Sequence, residues 1–81
     1  MTDKERDQRE RLKLQQRFGR HLRKLRKEQG ITPAELSRRC FMERSSIARL
    51  EMGRTTPTIY IVKKLCAGLG IELKDFFQDF N

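Results

Sequence analysis

The residues of this sequence best suited to chemistry are its arginines and lysines, and they are distributed unevenly. Residues 18–54 contain ten basic and four acidic side chains, whereas residues 55–81 contain three of each. Residues 1–17 add six basic and four acidic groups, which brings the chain to a net charge of +8. Positive charge concentrated in the middle of the chain favours a surface that binds a polyanion. The alternative, charge that serves solubility alone, does not predict this concentration.

The sequence does not offer the side-chain combinations that catalysis or metal binding requires. The sequence shows no paired carboxylates, no nucleophile–base set and no phosphate-binding loop, so we expect neither enzymatic activity nor a small-molecule substrate. Cys40 and Cys66 form no CxxC pair and His21 is the sole histidine, which is too few ligands for a zinc site. We expect no metal and no cofactor, and we expect both cysteines to be small core residues and not a disulfide.

Length and hydropathy limit the fold and its location. Eighty-one residues allow one domain with a small core, which dimerisation would help to stabilise. No run of about 18 apolar residues occurs, and the charged start Met1–Arg6 lacks the apolar stretch of a secretory signal. We therefore expect a cytoplasmic protein without a membrane segment.

Helical periodicity runs through the chain, and no alternating strand pattern occurs. Leu14, Phe18, Leu22 and Leu25 are spaced four, four and three residues apart, which predicts an amphipathic first helix that ends before Gly30. Four further helices are predicted over residues 33–40, 44–51, 57–69 and 72–80.

Capping residues mark the starts of two helices. Thr32 is a good N-cap for the second helix, with Pro33 at its first position and Glu35 placed to complete a capping box. Thr56 and Pro57 predict the start of the fourth helix in the same way. The predicted apolar face of the fourth helix consists of Ile59, Val62, Leu65, Cys66 and Leu69.

Residues 1–13 form a separate, charged N-terminal extension. Almost every side chain in it is charged or polar. It is a solvated helix, a frayed tail or an arm that contacts the polyanion. Its charges have mixed signs, which argues against an arm, and we favour a solvated helix that lengthens the first helix.

Two short helices joined by about three residues form a helix-turn-helix arrangement, whose second helix enters a major groove. The stretches Phe18–Arg26, Gly30–Ser37 and Ser46–Gly53, followed by Pro57, resemble the phage repressor and Cro family, also called the xenobiotic-response-element family. The Ala-Glu-Leu run of the second helix and the Ile-x-x-Leu-Glu-x-Gly end of the third are the most telling parts. The resemblance covers residues 18–77 and implies an all-α, five-helix, lambda-repressor-like bundle that binds DNA.

The resemblance implies that residues 44–51 are the recognition helix. Arginine can bind the O6 and N7 atoms of guanine with two hydrogen bonds, and serine can reach several base edges. We therefore expect Arg44, Ser45, Ala48 and Arg49 to face the bases, with Ala48 against a thymine methyl group. The alternative is that both arginines bind phosphates only.

Phosphate contacts are implied around this helix. Thr32 lies at the start of the second helix, whose amides would face a phosphate. Arg38 and the loop residues Arg54, Thr55 and Thr56 are further candidates, and the alternative for each is a solvated surface group. Such contacts position a protein on DNA without selecting sequence.

Arg26 and Glu51 are expected to form a salt bridge, because relatives pair an arginine near the end of the first helix with the glutamate that closes the third. The pair would hold these two helices together and aim Arg26 at the DNA backbone as a further phosphate contact. The alternative is two independent surface charges.

Three positions depart from the family pattern. Pro33 stands where relatives have a glutamine that contacts DNA. Proline lacks both that side chain and a backbone N–H donor. Phe41 replaces the usual turn glycine, so the turn either keeps a positive φ at a cost of about 1–2 kcal/mol or adopts another shape. Glu43 replaces a serine or threonine cap. These changes affect how the protein docks on DNA and leave the fold unchanged.

The C-terminal aromatic residues predict a partner surface. Phe76 matches a core position of the family, whereas Phe77 and Phe80 would be left partly exposed by so small a bundle. Tyr60 and Ile61 fall where relatives often place polar residues. Exposed apolar groups of this kind suggest a two-fold dimer contact. The alternative is that they cover the edge of the core.

The predicted function is a sequence-specific transcriptional regulator, of repressor type, that binds a two-fold operator in double-stranded DNA as a homodimer. Half-sites would lie about 34 Å apart. Residues 14–81 would form the helix-turn-helix domain, with a C-terminal dimerisation helix. The alternative is an antitoxin-type or other interaction protein of the same fold that binds a partner protein through its aromatic C-terminus.

Overall fold

Five α-helices make up the computed structural model, which describes residues 1–80. They are α1 (Asp3–Glu28), α2 (Pro33–Cys40), α3 (Arg44–Glu51), α4 (Ile59–Leu69) and α5 (Leu73–Phe76). The described part of the chain contains no strand, which confirms the predicted all-α bundle. None of these helices combines the length and apolar character that crossing a bilayer requires.

The first half of α1 is a solvated helix held by local interactions. Thr2 and Glu5 form a capping box, in which the Thr2 hydroxyl accepts the Glu5 N–H at 3.1 Å and the Glu5 carboxylate accepts the Thr2 N–H at 3.4 Å. An ion pair between Arg6 and Asp3, at 3.8 Å, follows one turn later. The charged extension adopts the favoured helical form, and residues 1–14 are all exposed.

The core draws apolar side chains from all five helices. Its buried members are Phe18, Leu22, Leu36, Cys40, Ile47, Leu50, Val62, Leu65, Cys66, Leu69 and Phe76. The ring centre of Phe76 lies 5.4 Å from that of Phe18, which joins α5 to α1. His21 is half-buried, and its Nε2 atom hydrogen-bonds to the carbonyl oxygen of Phe76, so a polar contact reinforces the same junction.

Both cysteines are free, buried thiols, as predicted. Burial raises the pKa of Cys40 and of Cys66, because a thiolate would lose its hydration in the core. Gly68 allows α4 to pass close to α2, since a Cβ atom at this position would overlap the Cys40 sulfur. The two thiols therefore act as small apolar groups where α2 and α4 cross.

The start of α4 differs from the prediction. Thr58 is the N-cap, and its hydroxyl accepts a hydrogen bond from the Ile61 N–H at 3.1 Å. The predicted cap, Thr56, has its hydroxyl engaged by the side-chain amide of Gln15 on α1. Ile59 was predicted to be in the apolar face but is 78 % exposed, because the helix begins with it at the rim of the bundle.

The last helix is shorter than predicted. It ends at Phe76, and residues 77–79 form a turn in place of a helix that reaches residue 80. The Phe80 N–H donates to the Phe77 carbonyl oxygen at 3.2 Å, a bond that closes the turn. Phe77 and Phe80 therefore lie outside α5, after its single buried aromatic residue, Phe76.

Candidate nucleic-acid interface

Helix α3 turns one face to the core and the other to solvent. Ile47 and Leu50 are 0 % and 3 % exposed, so the helical period places the remaining side chains outward. Arg44, Ser45 and Arg49 are exposed, and Ala48 is half-buried at the edge of this face. The structure therefore brings the four predicted base contacts onto the accessible side of one helix.

The two arginines of α3 are not neutralised by carboxylates. Arg49 donates from Nη2 to the Ser46 hydroxyl at 3.3 Å. None of the ion pairs formed among residues 1–80 includes Arg44 or Arg49. Each guanidinium group carries five donors in a rigid fork, which suits guanine edges and phosphates alike. Both forks are open to an incoming acceptor.

The loop that follows α3 lies against the same helix. The Arg54 N–H donates to the Arg49 carbonyl oxygen at 3.0 Å, and Gly53 adopts a φ of +71°, which favours glycine. A cleft of about 170 Å³ separates α3 from this loop and from the start of α4. Its polar lining consists of Ser46, Arg49, Thr55, Thr56 and Thr58. Hydroxyls beside a guanidinium group suit a phosphate oxygen.

The start of α2 offers few free amides to a phosphate, as Pro33 at its first position predicts. The Thr32 hydroxyl accepts the Glu35 N–H at 3.1 Å, and the Thr32 carbonyl oxygen accepts the Leu36 N–H at 3.0 Å. Pro33 has no N–H. This leaves the N–H groups of Thr32 and Ala34, together with the Thr32 hydroxyl proton, as the donors at this end of the helix.

The carboxylate of Glu35 binds the arginines of its own helix, so the capping box predicted for α2 is only half formed. Arg38 donates to Glu35 at 3.0 Å and Arg39 at 3.3 Å. Both bonds lower the pKa of Glu35, and the bond from Arg38 contributes more than the bond from Arg39. Arg38 is still 68 % exposed and can reach beyond the pair. Sequence reasoning missed Arg39, although its spacing of four from Glu35 was a signal.

Arg26 and Glu51 form the predicted salt bridge between α1 and α3. Arg26 donates from Nε and Nη2 to the two Glu51 carboxylate oxygens at 2.7 and 3.0 Å, and from Nη1 to the Ile31 carbonyl oxygen at 2.8 Å. The two ion-paired side chains are 9 % and 10 % exposed, and the hydrogen bonds that Arg26 donates to Glu51 raise the pKa of Arg26. The phosphate contact expected of Arg26 stays a prediction, and the guanidinium is buried with each of its nitrogens already donating within the protein.

Gly19 lets α1 approach the end of α3. A Cβ atom at this position would lie 2.5 Å from the carbonyl oxygens of Leu50 and Glu51, closer than real Cβ atoms come to other atoms. The close approach and the Arg26–Glu51 pair together fix the angle at which α3 is presented. Sequence reasoning gave Gly19 no role, because the requirement appears only when the two helices are seen to cross.

Comparison with known proteins decides the family. Residues 17–75 match the model of the family described as helix-turn-helix domain, and they include all of α2, α3 and α4. The chain belongs to the helix-turn-helix domain family. The control protein C.MunI of a Mycoplasma species is 35 % identical over 66 residues, which are 80 % of this chain and 89 % of the relative.

Two other relatives of this helix-turn-helix protein are consistent with the same family. An uncharacterized HTH-type transcriptional regulator of Methanothermobacter thermautotrophicus is 37 % identical over 57 residues, which cover 69 % of this chain and 83 % of that protein. The crystal structure of the restriction-modification controller protein C.AhdI from Aeromonas hydrophila has a TM-score of 0.74 and 28 % identity, and the match covers 78 % of this chain and 96 % of that one. The predicted family resemblance is confirmed, and the protein is a DNA-binding transcriptional regulator.

The turn of this helix-turn-helix protein keeps the family geometry without the glycine. Phe41 has φ 55° and ψ 46°, in the left-handed region, so the strained alternative is the one observed. Its side chain is 88 % exposed, and its carbonyl oxygen accepts a hydrogen bond from the Lys64 ammonium at 3.1 Å. Glu43 precedes α3 without a side-chain hydrogen bond to the helix, as expected of a poor cap.

The residues predicted to form the dimer contact lie on two separate parts of the surface. Phe77 is 38 % exposed, and it lines an apolar cleft of about 250 Å³ together with the half-buried Phe80. Leu14, Phe18, Pro57 and Val62 line the same cleft. Ile61 instead lines the cleft beside α3, and the ring of Tyr60, which is 71 % exposed, lies 5.6 Å from the Lys64 ammonium.

Proposed function

We propose that this regulator is a cytoplasmic repressor that binds a two-fold operator as a homodimer and reads it with α3. The observation that carries the proposal is the pair of exposed arginines, Arg44 and Arg49, which no carboxylate of residues 1–80 neutralises. They project from a helix whose opposite face is in the core. The major groove of B-DNA, about 12 Å wide, admits a helix in this orientation.

Within the groove, the outward face of α3 supplies the base contacts. Arg44 and Arg49 each present a fork that matches the O6 and N7 atoms of guanine. Ser45 hydrogen-bonds to a neighbouring base edge, and the Ala48 methyl group packs against the methyl group of a thymine. Residues near the start of a recognition helix reach the bases first, which fits the placement of Arg44 and Ser45.

On either side of α3, the proposed phosphate contacts fix the register on the duplex. One set consists of the Thr32 hydroxyl and the Ala34 N–H at the start of α2, with Arg38 on the same helix. The other set is the loop formed by Arg54, Thr55 and Thr56, which shares a cleft with Arg49. These contacts supply affinity without sequence preference.

The homodimer is supported by the apolar surface that the described chain leaves open. Phe77 and Phe80 line a cleft with almost no polar lining, and a second copy can cover it by two-fold symmetry. Tyr60 and Ile61 are retained as the second part of the contact. A two-fold arrangement presents two α3 helices to half-sites about one helical turn apart. Repression then requires only that the bound dimer exclude polymerase from overlapping promoter DNA.

Selection of bound duplexes from a random DNA library tests this function. We expect an enriched sequence with two inverted half-sites about 10–10.5 base pairs apart, each containing guanine. Affinity for it should fall steeply between about 50 and 200 mM salt, because several phosphates are neutralised. Failure to enrich any sequence would contradict the proposal.

The dimer has its own test. The mass in solution at high micromolar concentration should be twice that of the 9.7 kDa chain. A mass equal to one chain under these conditions, with the operator still bound one copy at a time, would contradict the homodimer and leave the recognition helix intact.

A further inference from the structure

We propose that Glu43 is a specificity-determining residue, which accepts a hydrogen bond from the N4 amino group of a cytosine in the major groove. The inference rests on the proposed recognition by α3 and adds a residue of opposite charge to its reading surface.

Three of the four carboxylates within the basic segment 18–54 are neutralised by ion pairs. The pairs are Glu28 with Lys24 at 3.6 Å, Glu35 with Arg38 at 3.0 Å and Glu51 with Arg26 at 2.7 Å. The fourth carboxylate, that of Glu43, forms no ion pair with any residue between 1 and 80. It is therefore the one free negative charge on the described part of this segment.

The position of Glu43 is fixed by its backbone. Its carbonyl oxygen accepts the N–H groups of Ser46 and Ile47 at 3.0 and 3.3 Å, which anchors the residue at the start of α3. The side chain is exposed and does not cap the helix. Instead, the Ser45 hydroxyl donates to its Oε2 atom at 3.4 Å. The carboxylate thus lies beside a proposed base contact, on the face that would enter the groove.

Charge alone makes this placement unfavourable for DNA binding. Phosphates repel a carboxylate, so Glu43 lowers affinity for every sequence unless a base donor compensates. Guanine offers only acceptors in the major groove, and the thymine O4 atom is also an acceptor. The adenine N6 donor lies beside the N7 acceptor, whereas the cytosine N4 donor has no acceptor beside it on its own base. Cytosine is therefore the base that a carboxylate prefers.

The test compares the duplexes selected by the wild-type protein with those selected by two variants of Glu43. Glu43→Ala should lose the cytosine preference at one base pair of each half-site, where discrimination falls by about tenfold, and should keep the others. Glu43→Gln should change the preference at the same base pair towards adenine, because a glutamine amide pairs with both N6 and N7.

Glu72→Gln is the matched control. Glu72 is also an exposed N-cap glutamate without a side-chain cap bond, but it precedes α5, and its contact with Lys74 is a solvent-exposed pair at 3.8 Å. This variant changes the net charge by the same amount and should leave the selected sequence unchanged. Thermal unfolding within a few degrees of wild type for all three variants would show that they retain the fold.

The outcomes separate this inference from the function on which it rests. A wild-type protein that selects an operator, with Glu43 variants that select the identical sequence and bind all DNA more tightly, would overturn the role of Glu43 alone. A wild-type protein that selects no sequence would overturn both. A change confined to one base pair per half-site, absent in Glu72→Gln, supports the proposal.

Discussion

The first half of α1 and the outward face of α3 are both exposed and carry arginines, but their charges are used differently. Residues 3–13 carry five basic and four acidic groups, and the pairs Arg6 with Asp3 and Arg11 with Asp7 neutralise two of each within the helix. In α3 the single glutamate, Glu51, points inward to Arg26, so the outward arginines remain unopposed. A DNA-binding surface thus depends on uncompensated charge and not on the number of charged groups.

The two segments also differ in what holds them. The capping box and ion pairs of the α1 extension act within one helix, and residues 1–14 are exposed. Helix α3 has eight residues, too few to be stable alone. Its order comes from the buried Ile47 and Leu50, from the salt bridge to α1 and from the close approach at Gly19. Tertiary contacts therefore give α3 the fixed orientation that base recognition needs.

Among the tertiary contacts that hold α3, removal of the buried salt bridge should have the largest effect on stability. Glu51→Ala leaves the Arg26 guanidinium buried without its partner, so we expect a loss of about 3–5 kcal/mol in the free energy of unfolding, measured in urea. The matched control, Glu28→Ala, breaks an exposed pair with Lys24 and should cost less than about 1 kcal/mol. Equal losses for the two variants would mean that the buried pair does not hold α3.

Gly19→Ala should have the next largest effect. The added methyl group meets two carbonyl oxygens of α3, so one helix must shift, at a cost of about 1–3 kcal/mol. We expect weaker operator binding at temperatures where the variant remains folded. The control is Gly30→Ala, which has a φ of +69° but open space around it. It should cost about 1 kcal/mol of backbone strain and leave DNA affinity unchanged. Unaltered operator binding by Gly19→Ala would contradict the proposed role of the close approach.

Local signals predicted most of the fold. The apolar period from Leu14 to Leu25, the cap at Thr32 and the glycine stops place α1, α2 and α3 close to where the structure has them. The start of α4 was two residues off, because Thr56 and Thr58 are both capable caps. The choice depends on Gln15, which is 41 residues away in the sequence and takes the Thr56 hydroxyl.

The surface residues of the candidate site could be predicted from the sequence. The contacts that hold α3 in place were harder to predict. The outward face of α3 follows from the helical period around Ile47 and Leu50. The burial of Arg26 does not follow, because it depends on the Ile31 carbonyl oxygen as a third acceptor. The role of Gly19 was hidden because it requires the crossing of α1 and α3. The local path of the backbone after α1 accounts for the first miss and long-range geometry for the second.

Shortening the N-terminal extension should have the smallest effect. Deletion of residues 1–9 removes exposed helix that packs against nothing. We expect a change of less than about 0.5 kcal/mol in stability, and the helical signal in far-ultraviolet circular dichroism should fall by the share of the deleted turns. Operator affinity should stay within about twofold, as for other surface changes away from the contact. A tenfold loss of affinity would instead identify the extension as a DNA-binding arm.

The central claim is that the unopposed arginines of α3 read bases. Its most direct test measures binding of Arg44→Ala, Arg49→Ala and the control Arg9→Ala to the selected operator and to duplexes changed at single base pairs. Each α3 variant should lose about 1–3 kcal/mol of discrimination at one base pair per half-site, and Arg9→Ala should lose none. An equal loss of affinity for every duplex, or the same loss in Arg9→Ala, would contradict the claim.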